Sequence, residues 1–275
     1  MKWLKRTFKK TLAARGYELV RSQELASLLS HGNFVNFVNL AQAYEQRLNE
    51  DKNCILPNET RLKLLARLLG TEPSEAYFII QGLSKCKDVA GDVCEFGVAQ
   101  GETSTLIANE IALHSNKRLH LFDSFEGLPK PTGKDQLKDD IFSLGNMEAY
   151  AGTMSCPEEM VHTRLETISF PRQRYVIHKG FFEQLIREDK DMPTEVCFAY
   201  VDFDFYEPIT LALTFLHPRT RNGAIIIVDD YDFFSTGAKA AVDEFLEAKN
   251  SNNPVYEFFV PNTRYGHCAI LAKQG

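Results

Sequence analysis

The chain of 275 residues carries 31 lysines and arginines against 37 aspartates and glutamates, and its formal net charge of −6 argues against a protein that mainly neutralises nucleic-acid phosphates. Hydrophobic residues make up 44% of the chain, which is enough for a globular core and excludes a disordered or fibrous protein. The longest fully apolar run, residues 196–201, is far too short for a helix that spans a bilayer.

The first fifteen residues are basic and contain no acid. Trp3, Leu4, Phe8 and Leu12 fall on one side of a predicted helix, which could lie on an anionic membrane surface, touch another subunit or pack on its own domain. The segment lacks the apolar stretch and the cleavage site of a secretion signal. The six cysteines show no paired spacing, so we expect reduced thiols and a cytoplasmic protein.

Residues 1–85 are predicted to form a helical appendage, because they show helical periodicity and no strand alternation. Ser22 is placed to cap one helix, and a second helix is expected over residues 60–70, with Gly70 at its carboxyl end. The aromatic-rich segment 31–44 could cover an active site, form a dimer face or simply pack against the neighbouring helices.

After this appendage, short apolar runs alternate with helical stretches. Strands that are separated by helices indicate a parallel sheet with helices on both faces. The predicted strands are residues 92–96, 118–122, 174–178, 196–201, 224–228, 255–260 and 268–272. Residues 86–275 are therefore predicted to form an α/β domain.

A glycine-containing motif follows the first predicted strand. Glu95, Gly97 and Gly101 lead into a helix that is expected to begin at residues 102–104, where unpaired N–H groups can bind a ligand. The spacing E-x-G-x-x-x-G differs from the G-x-G-x-x-G of dinucleotide-binding dehydrogenases and argues against an NAD enzyme. Asp123 ends the second predicted strand, where an acid can accept the hydroxyls of a ribose or can cap a helix.

Four segments in this order resemble the S-adenosylmethionine-dependent methyltransferases, and in particular the macrocin O-methyltransferase family, which methylates sugar hydroxyls of natural products. The segments are EFGVAQGETS, LFDSFEGLP, YVDFDFYEPITLAL and IIIVDDYDFFSTGAKAAVDEF. The resemblance covers about residues 90–270. It implies a Rossmann-like class I methyltransferase domain behind the helical appendage and a homo-oligomer that assembles through that appendage.

The resemblance also implies which residues contact the cofactor. The implied cofactor-binding residues are Glu95, Gly97, Gly101, Glu102, Thr103, Ser104, Asp123, Ser124, Lys179 and Gly180, the last two at the adenine end. In the family, the segment after the second strand is a mobile loop over the substrate. Here that loop would run from Phe125 to about Glu159.

Four aspartates follow two of the predicted strands. Asp202 and Asp204 come after one strand, and Asp229 and Asp230 come after the next, so that these acids can converge at the carboxyl edge of the sheet. A divalent cation with oxygen ligands relieves the repulsion between crowded carboxylates. We predict Asp202, Asp229 and Asp230 as magnesium ligands, as the resemblance also implies, with Asp204 behind them.

The predicted reaction uses this cation to activate an alcohol. Two vicinal hydroxyls that chelate magnesium are easier to deprotonate, and the resemblance suggests Asp202 as the general base that takes the proton during methyl transfer. Tyr206, Glu207 and Tyr231 could contact the substrate or pack in the core. His267, near the last strand, is a candidate acid or base.

Two other functions compete with sugar methylation. The same machinery could methylate a catechol-like or other vicinal diol, with an aromatic slot supplied by Phe125, Phe142, Phe233 and Phe234. The chain could also be a non-catalytic module that binds a nucleotide or a sugar. The presence of every predicted metal-binding acid and of the complete glycine motif argues against this last interpretation.

Overall fold

The structure, a computed structural model, describes residues 60–114, 117–188, 190–251, 254–262 and 266–274. The predictions for the basic residues 1–15, for the helix after Ser22 and for the segment 31–44 fall outside the described residues. Among the helices that are described, none combines the length and the apolar character needed to cross a bilayer.

Helices and strands alternate along the described chain. The helices are α1 (Arg61–Leu65), α2 (Pro73–Lys85), α3 (Glu102–His114), α4 (Glu158–Thr167), α5 (Phe182–Glu188), α6 (Tyr206–Leu216) and α7 (Gly237–Asn250). The strands are β1 (Asp92–Phe96), β2 (Leu119–Asp123), β3 (Tyr175–Lys179), β4 (Val196–Val201), β5 (Thr220–Val228), β6 (Tyr256–Phe259) and β7 (Ala269–Lys273). Short 3₁₀ turns lie at Met147–Tyr150 and Arg172–Arg174.

The seven strands form one sheet in the order β3-β2-β1-β4-β5-β7-β6. The first five are parallel, whereas β7 runs antiparallel to both β5 and β6. The prediction of an entirely parallel sheet is therefore wrong for the last strand. The reason is that the connection from β6 to β7 contains no described helix, and a parallel return would need a crossover.

Helices cover both faces of the sheet, as predicted. On one face, β1, β2, β4 and β5 pack against α5, α6 and α7 through residues such as Phe182, Leu213 and Val242. On the other face, the same strands pack against α2, α3 and α4 through residues such as Ile79 and Ile107. Strands β1 and β4 consequently lie between two apolar layers, which explains why the sequence of β4 is apolar throughout, whereas β1 also carries Asp92 and Glu95.

Most strand bounds match the sequence prediction to within one residue, but β5 begins at Thr220 and not at Ala224. Its first residues are polar and mostly exposed, and the register with β4 shifts between Val196 and Phe198. A prediction based on apolar runs misses such a segment because backbone pairing alone, without burial, defines it as a strand.

The helix expected over residues 60–70 is shorter than predicted. Helix α1 ends at Leu65, and Gly70, although its φ is +88°, lies in the following turn. The N–H groups of Arg67 and Leu68 donate to carbonyls three residues back, which tightens the chain out of the α-helical path. Pro73 then begins α2, at the first helical position, where its missing N–H costs nothing.

Candidate active site

The carboxyl ends of β4 and β5 bring four aspartates together. Val201 of β4 pairs with Val228 of β5, so that the acids after each strand are neighbours at one edge of the sheet. We call Asp202, Asp204, Asp229 and Asp230 the acidic edge. Carboxylate oxygens of three of them lie within 4.8 Å of one another, namely Asp202, Asp204 and Asp230. Three such oxygens at this spacing form a group able to hold a cation.

The backbone of the acidic edge is strained in a way that aims these side chains. Asp204 and Asp230 have positive φ angles, +61° and +54°. Aspartate tolerates the left-handed region better than most residues, yet each such position still costs energy that the surrounding structure must offset. Strain of this kind at two adjacent acids is typical of functional sites.

The acidic edge holds protons more tightly than ordinary aspartates do. Burial, followed by the charge of Asp229, raises the pKa values of both Asp202 and Asp230 well above the usual range. Burial and the same neighbour raise the pKa of Asp204 to about 7. The cause is that several carboxylates compete for one poorly solvated space, where a cation would relieve the repulsion.

Asp229 is oriented differently from the other three acids. One of its oxygens accepts the Asp230 N–H at 2.7 Å, and the other accepts the Tyr200 hydroxyl in a short hydrogen bond. Within the described residues, the oxygen group consists of Asp202, Asp204 and Asp230 and does not include Asp229. The structure thus groups Asp204, expected behind the ligands, with Asp202 and Asp230, while Tyr200 fixes Asp229 beside them.

Sequence reasoning missed three residues that border the acidic edge. Tyr200 lies fully buried on β4, and the buried Glu75 and Thr71 come from α2 and from the turn before it. The hydroxyl of Tyr200 lies 3.3 Å from the Glu75 carboxylate. Tyr200 could have been found, because it precedes Asp202 by two residues and shares its strand face. Glu75 offered no signal, since an acid in a first helical turn is ordinary.

Burial and the neighbouring acids raise the pKa of Glu75 well above its usual value. Glu75 is therefore a further carboxyl group beside the acidic edge, supplied from the segment that the sequence assigns to the appendage. A side chain of α2 thus reaches the same edge of the sheet as the aspartates of β4 and β5.

Unpartnered polar atoms mark the other half of the site, at the amino end of α3. The Ser104 hydroxyl faces the Glu95 carboxyl closely enough to oppose the rise in its pKa, but no described residue makes a well-formed hydrogen bond to either oxygen of Glu95, to that hydroxyl or to one oxygen of Glu102. Burial raises the pKa of Glu95 to about 8. Buried polar atoms without partners are costly, so this arrangement indicates a polar ligand that supplies the missing hydrogen bonds.

The glycine loop, residues 97–101, is shaped by contacts within the protein. Gly97 has a φ of +86°, and a Cβ at this position would lie 1.8 Å from the carbonyl oxygen of Asp202. Gly101 has a φ of +82° and faces Val161 of α4 at 3.2 Å from the site of a Cβ. These glycines were expected because a ligand approaches the backbone, but here the close approach is that of the chain itself.

Asp123 organises the glycine loop through its carboxylate. The N–H groups of Val98 and Ala99 donate to one oxygen at 2.7 and 2.9 Å, and the Phe125 N–H donates to the other at 2.6 Å. The sequence offered helix capping as the alternative role of Asp123. In the structure its carboxylate accepts N–H groups of a loop and not of a helix. Oδ2 accepts two of these N–H groups, whereas Oδ1 accepts one and keeps a lone pair that could accept a ligand hydroxyl.

Ser124, Lys179 and Gly180 lie around this loop. The Ser124 hydroxyl bonds the Gly127 carbonyl within a turn, and the Gly180 N–H donates to the Asp123 carbonyl at 2.9 Å. The Lys179 ammonium is exposed and lies 3.3 Å from Glu158 of α4. Their contacts with a cofactor stay predictions.

Helix α4 lies across the glycine loop. Arg164 donates a short hydrogen bond to the Gln100 carbonyl and forms a close ion pair with Glu102. Val161, one turn earlier on α4, packs against Gly101. The loop is therefore fixed from two sides, by Asp123 of β2 and by α4.

The segment from Phe125 to Glu159, expected to be a mobile loop, is tied to the sheet edge in the structure. Asp135 accepts the Tyr206 N–H at 2.7 Å, Leu137 pairs with Ser235, and Tyr150 packs on Phe234. The segment thus forms one wall of the acidic edge. Its mobility stays a prediction.

The other residues predicted to contact the substrate or to act as an acid or base do not all lie beside the acidic edge. The Tyr206 hydroxyl bonds Glu244 and that of Tyr231 bonds Asp243, both on α7. Glu207 is exposed. His267 stacks on Phe233 and lies close enough to Asp229 to oppose the rise in the pKa of that carboxyl, which burial causes.

The aromatic slot proposed for a catechol does not form from the four expected rings. Phe125 and Phe234 are buried in the core, at 8% and 0% exposure, while Phe142 is half exposed at 50%. The Phe234 ring is therefore closed to a substrate, and contacts of the other rings with a substrate stay predictions.

Comparison with known proteins identifies the family. The model of the macrocin O-methyltransferase (TylF) family matches residues 81–261. A tetracenomycin enzyme of Streptomyces olivaceus, 8-demethyl-8-(2,3-dimethoxy-alpha-L-rhamnosyl)-tetracenomycin-C 4'-O-methyltransferase, is 26% identical over 222 residues, which cover 75% of this chain and 82% of the relative. Demethyldecarbamoylnovobiocin O-methyltransferase of Streptomyces niveus is 26% identical over 161 residues, covering 58% and 59% of the two chains.

Solved structures show the same fold. The O-methyltransferase NovP has a TM-score of 0.62 at 19% identity, covering 88% of this chain and 100% of its own. The calicheamicin methyltransferase CalS11 has a TM-score of 0.58 at 20% identity, covering 94% and 95%. An O-methyltransferase from Bacillus cereus, solved in complex with SAH, has a TM-score of 0.50 at 13% identity, covering 86% and 100%. Because the family model matches more than half of the chain, the chain belongs to the macrocin O-methyltransferase family and is an O-methyltransferase.

Proposed function

We propose that this protein transfers a methyl group from S-adenosylmethionine to a hydroxyl of a sugar or glycan, with the help of a magnesium ion. One observation carries the proposal. The buried polar atoms beside the glycine loop, which lack well-formed hydrogen bonds, and the acidic edge lie at the same edge of the sheet. The name of the Streptomyces olivaceus relative, which specifies a rhamnosyl compound and the 4'-O position, supports a sugar as the acceptor.

The residues around the glycine loop fit the cofactor. Buried oxygens of Glu95 and Ser104 offer hydrogen bonds that the described residues leave unused, and the amino end of α3 favours a carboxylate group. In our proposal Asp123, at the end of β2, accepts a ribose hydroxyl. When bound, S-adenosylmethionine supplies an electrophilic methyl group, so the chain needs no covalent intermediate of its own.

The acidic edge fits a hard divalent cation. Asp202, Asp204 and Asp230 present oxygen atoms, the ligands that magnesium prefers, and their raised pKa values reflect a repulsion that a cation would remove. In our proposal Asp202 and Asp230 hold the ion together with Asp229 or Asp204. Magnesium, when bound, lowers the pKa of hydroxyls that coordinate it.

A carboxylate of the acidic edge accepts the proton of the attacking hydroxyl in this proposal. The resemblance favours Asp202, and Asp204, whose carboxylate belongs to the same oxygen group, is the second candidate. The loss of a positioned base typically slows a reaction by about 10²- to 10⁴-fold.

The proposal extends to the organisation of the whole chain. We infer that residues 1–85 form a helical appendage to a methyltransferase domain of residues 86–275, that the protein is a cytoplasmic homo-oligomer, and that residues 1–15 contact anionic lipid. Co-sedimentation with anionic vesicles, comparing the full chain with one that lacks residues 1–15, tests the last point. Equal sedimentation of the two would disprove it.

The cofactor assignment is tested first by titration calorimetry with S-adenosylmethionine and S-adenosylhomocysteine, with and without Mg²⁺. We expect binding to the wild type, loss of binding in Asp123→Ala and unchanged binding in Asp88→Ala, an exposed acid outside the site. Absence of binding to the wild type would disprove the methyl donor.

The acceptor is tested by mass spectrometry after incubation with a panel of rhamnosylated compounds, free sugars and a catechol. A methyl group gained by the sugars alone supports the proposal. Methylation of the catechol alone would replace it with the diol alternative.

A further inference from the structure

A buried row of hydroxyl groups joins the two halves of the site. The hydroxyl oxygens of Thr103 and Thr71 are 2.9 Å apart, and those of Thr71 and Tyr200 are 3.5 Å apart. Tyr200 in turn forms the short hydrogen bond to Asp229. All four side chains are less than 9% exposed. We call Thr103, Thr71, Tyr200 and Asp229 the relay.

The relay has one consistent direction. An ionised carboxylate only accepts hydrogen bonds, and each hydroxyl has a single proton to donate. Since Tyr200 gives its proton to Asp229, a hydrogen bond between Thr71 and Tyr200 has Thr71 as its donor, and Thr103 is then the donor to Thr71. The Glu75 carboxyl, 3.3 Å from the Tyr200 oxygen, is a second neighbour of the same hydroxyl. Reversing any hydroxyl would leave two oxygens facing each other without a proton between them, which is costly in a buried site.

The two ends of the relay lie in different parts of the site. Thr103 belongs to the first turn of α3, directly after the glycine loop, whereas Asp229 belongs to the acidic edge. The middle comes from elsewhere, since Thr71 precedes α2 and Tyr200 lies on β4. A group that orients the Thr103 hydroxyl therefore acts on the Asp229 carboxylate through two further side chains.

We infer that Tyr200 and Thr71 are positioning residues that couple ligand binding at the glycine loop to cation binding at the acidic edge. The coupling is reciprocal, because a change in cation affinity caused by the nucleotide requires an equal change in nucleotide affinity caused by the cation. The inference rests on the proposed function, which supplies the two ligands.

The coupling is measured by calorimetry on the full chain, with S-adenosylhomocysteine and Mg²⁺ as probes. The dissociation constant of each is determined with and without saturation by the other. We expect wild-type affinities to change by about 5-fold or more, the lower end of ordinary coupling between sites. Tyr200→Phe and Thr71→Val each remove one hydroxyl and nearly keep the side-chain shape, so the change should fall to about 1-fold while both probes still bind.

Two further variants separate positioning from a general loss of stability. Thr71→Ser restores a hydroxyl at the same place and should restore the coupling. Tyr256→Phe removes a hydroxyl from an equally buried tyrosine that bonds His217, away from the relay, and should leave the coupling at the wild-type value. Thermal melting of each variant records whether it is folded, and Thr71→Val tests the relay if Tyr200→Phe does not fold.

The outcomes distinguish the two proposals. If both probes bind the wild type independently of each other, or if Tyr200→Phe and Thr71→Val keep the coupling, the relay is disproved and the proposed function stands. If neither probe binds the wild type, both proposals fail. Coupling that is lost in the two variants and regained in Thr71→Ser establishes the relay.

Discussion

The glycine loop and the acidic edge differ in what surrounds their carboxylates. Next to the glycine loop, Asp123 is surrounded by donors, since three backbone N–H groups point at its carboxylate. At the acidic edge, acids face other acids, and the pKa values of Asp202 and Asp230 are raised. The Asp123 carboxylate has backbone hydrogen-bond donors, whereas the carboxylates of the acidic edge repel one another.

This difference indicates how each region acquires its ligand. The fold itself builds the glycine loop, which needs only a polar molecule to complete the hydrogen bonds of Glu95 and Ser104. The acidic edge is held together against its own repulsion and becomes favourable when positive charge arrives. Gly97, the first residue of the glycine loop, is where the two regions meet, because a Cβ there would lie 1.8 Å from the carbonyl oxygen of Asp202.

The largest effect is expected at the acidic edge. Asp202→Asn removes a charge from the oxygen group without changing its size and should reduce methyl transfer by about 10²- to 10⁴-fold, because it removes a proposed cation ligand and base together. Steady-state kinetics measure the loss. Asp243→Asn, an exposed acid on α7, is the control and should keep normal rates. Activity of Asp202→Asn within tenfold of the wild type would contradict the assignment.

The next effect tests the junction of the two regions. Gly97→Ala would force a Cβ into the Asp202 carbonyl at a φ of +86° and should destabilise the protein by about 3 kcal/mol, lowering the Tm by roughly 6 °C or more. Differential scanning calorimetry gives the shift. Gly133→Ala, where a Cβ meets no described atom within 4 Å, should melt within about 1 °C of the wild type. Equal Tm values for both variants would show that the junction is not tight.

The repulsion at the acidic edge should appear as a pH dependence. Because the pKa of Asp204 is raised to about 7, the folded chain keeps a proton that the unfolded chain loses near pH 4. The free energy of unfolding from this group therefore falls as pH rises between those values. Without metal, we expect the Tm of the wild type to fall by roughly 5 °C more than that of Asp204→Asn between about pH 5 and pH 8.

Added Mg²⁺ should raise the wild-type Tm at about pH 8 and have little effect near pH 5, since protons and the cation compete for the same oxygens. Parallel pH curves for the wild type and Asp204→Asn would remove the proposed conflict among the acids. A Mg²⁺ effect that does not depend on pH would do the same.

The smallest effect is expected at the glycine loop. Arg164→Gln loses the ion pair with Glu102 and the charged bond to the Gln100 carbonyl, and should weaken S-adenosylhomocysteine binding by about fivefold. Calorimetry measures the change. Arg187→Gln, which breaks an exposed pair with Glu183, is the matched control and should bind normally. Identical affinity in both variants would mean that Asp123 alone shapes the loop.

Sequence reasoning recovered the architecture because its signals are local. Apolar runs located the strands, and the change from helical to alternating patterns indicated an α/β sheet. The direction of β7 was missed, since strand polarity depends on the connecting segment and not on the strand. The end of α1 was missed because Gly70 could stop a helix that had already ended at Leu65.

The sequence could predict which residues meet at the candidate site only where those residues follow strands. Asp123 and the aspartates of the acidic edge stand out because acids interrupt apolar runs. The oxygen group, which includes Asp204 and not Asp229, depends on φ angles and on Tyr200, and neither is encoded in residue spacing. Thr71 and Glu75 come from a segment distant in sequence, so that only the folded chain brings them to the site.

The position of β7 has a consequence for the order in which the chain is synthesised. Residues 269–273 are translated after the other described strands, yet they pair with both β5 and β6 and separate the two. Until they leave the ribosome, the apolar edge of β5 at residues 224–228 has no partner on that side. A nascent chain therefore presents an unpaired strand edge from the synthesis of β5 until β7 has left the ribosome, and a chaperone that shields such edges would act in that interval.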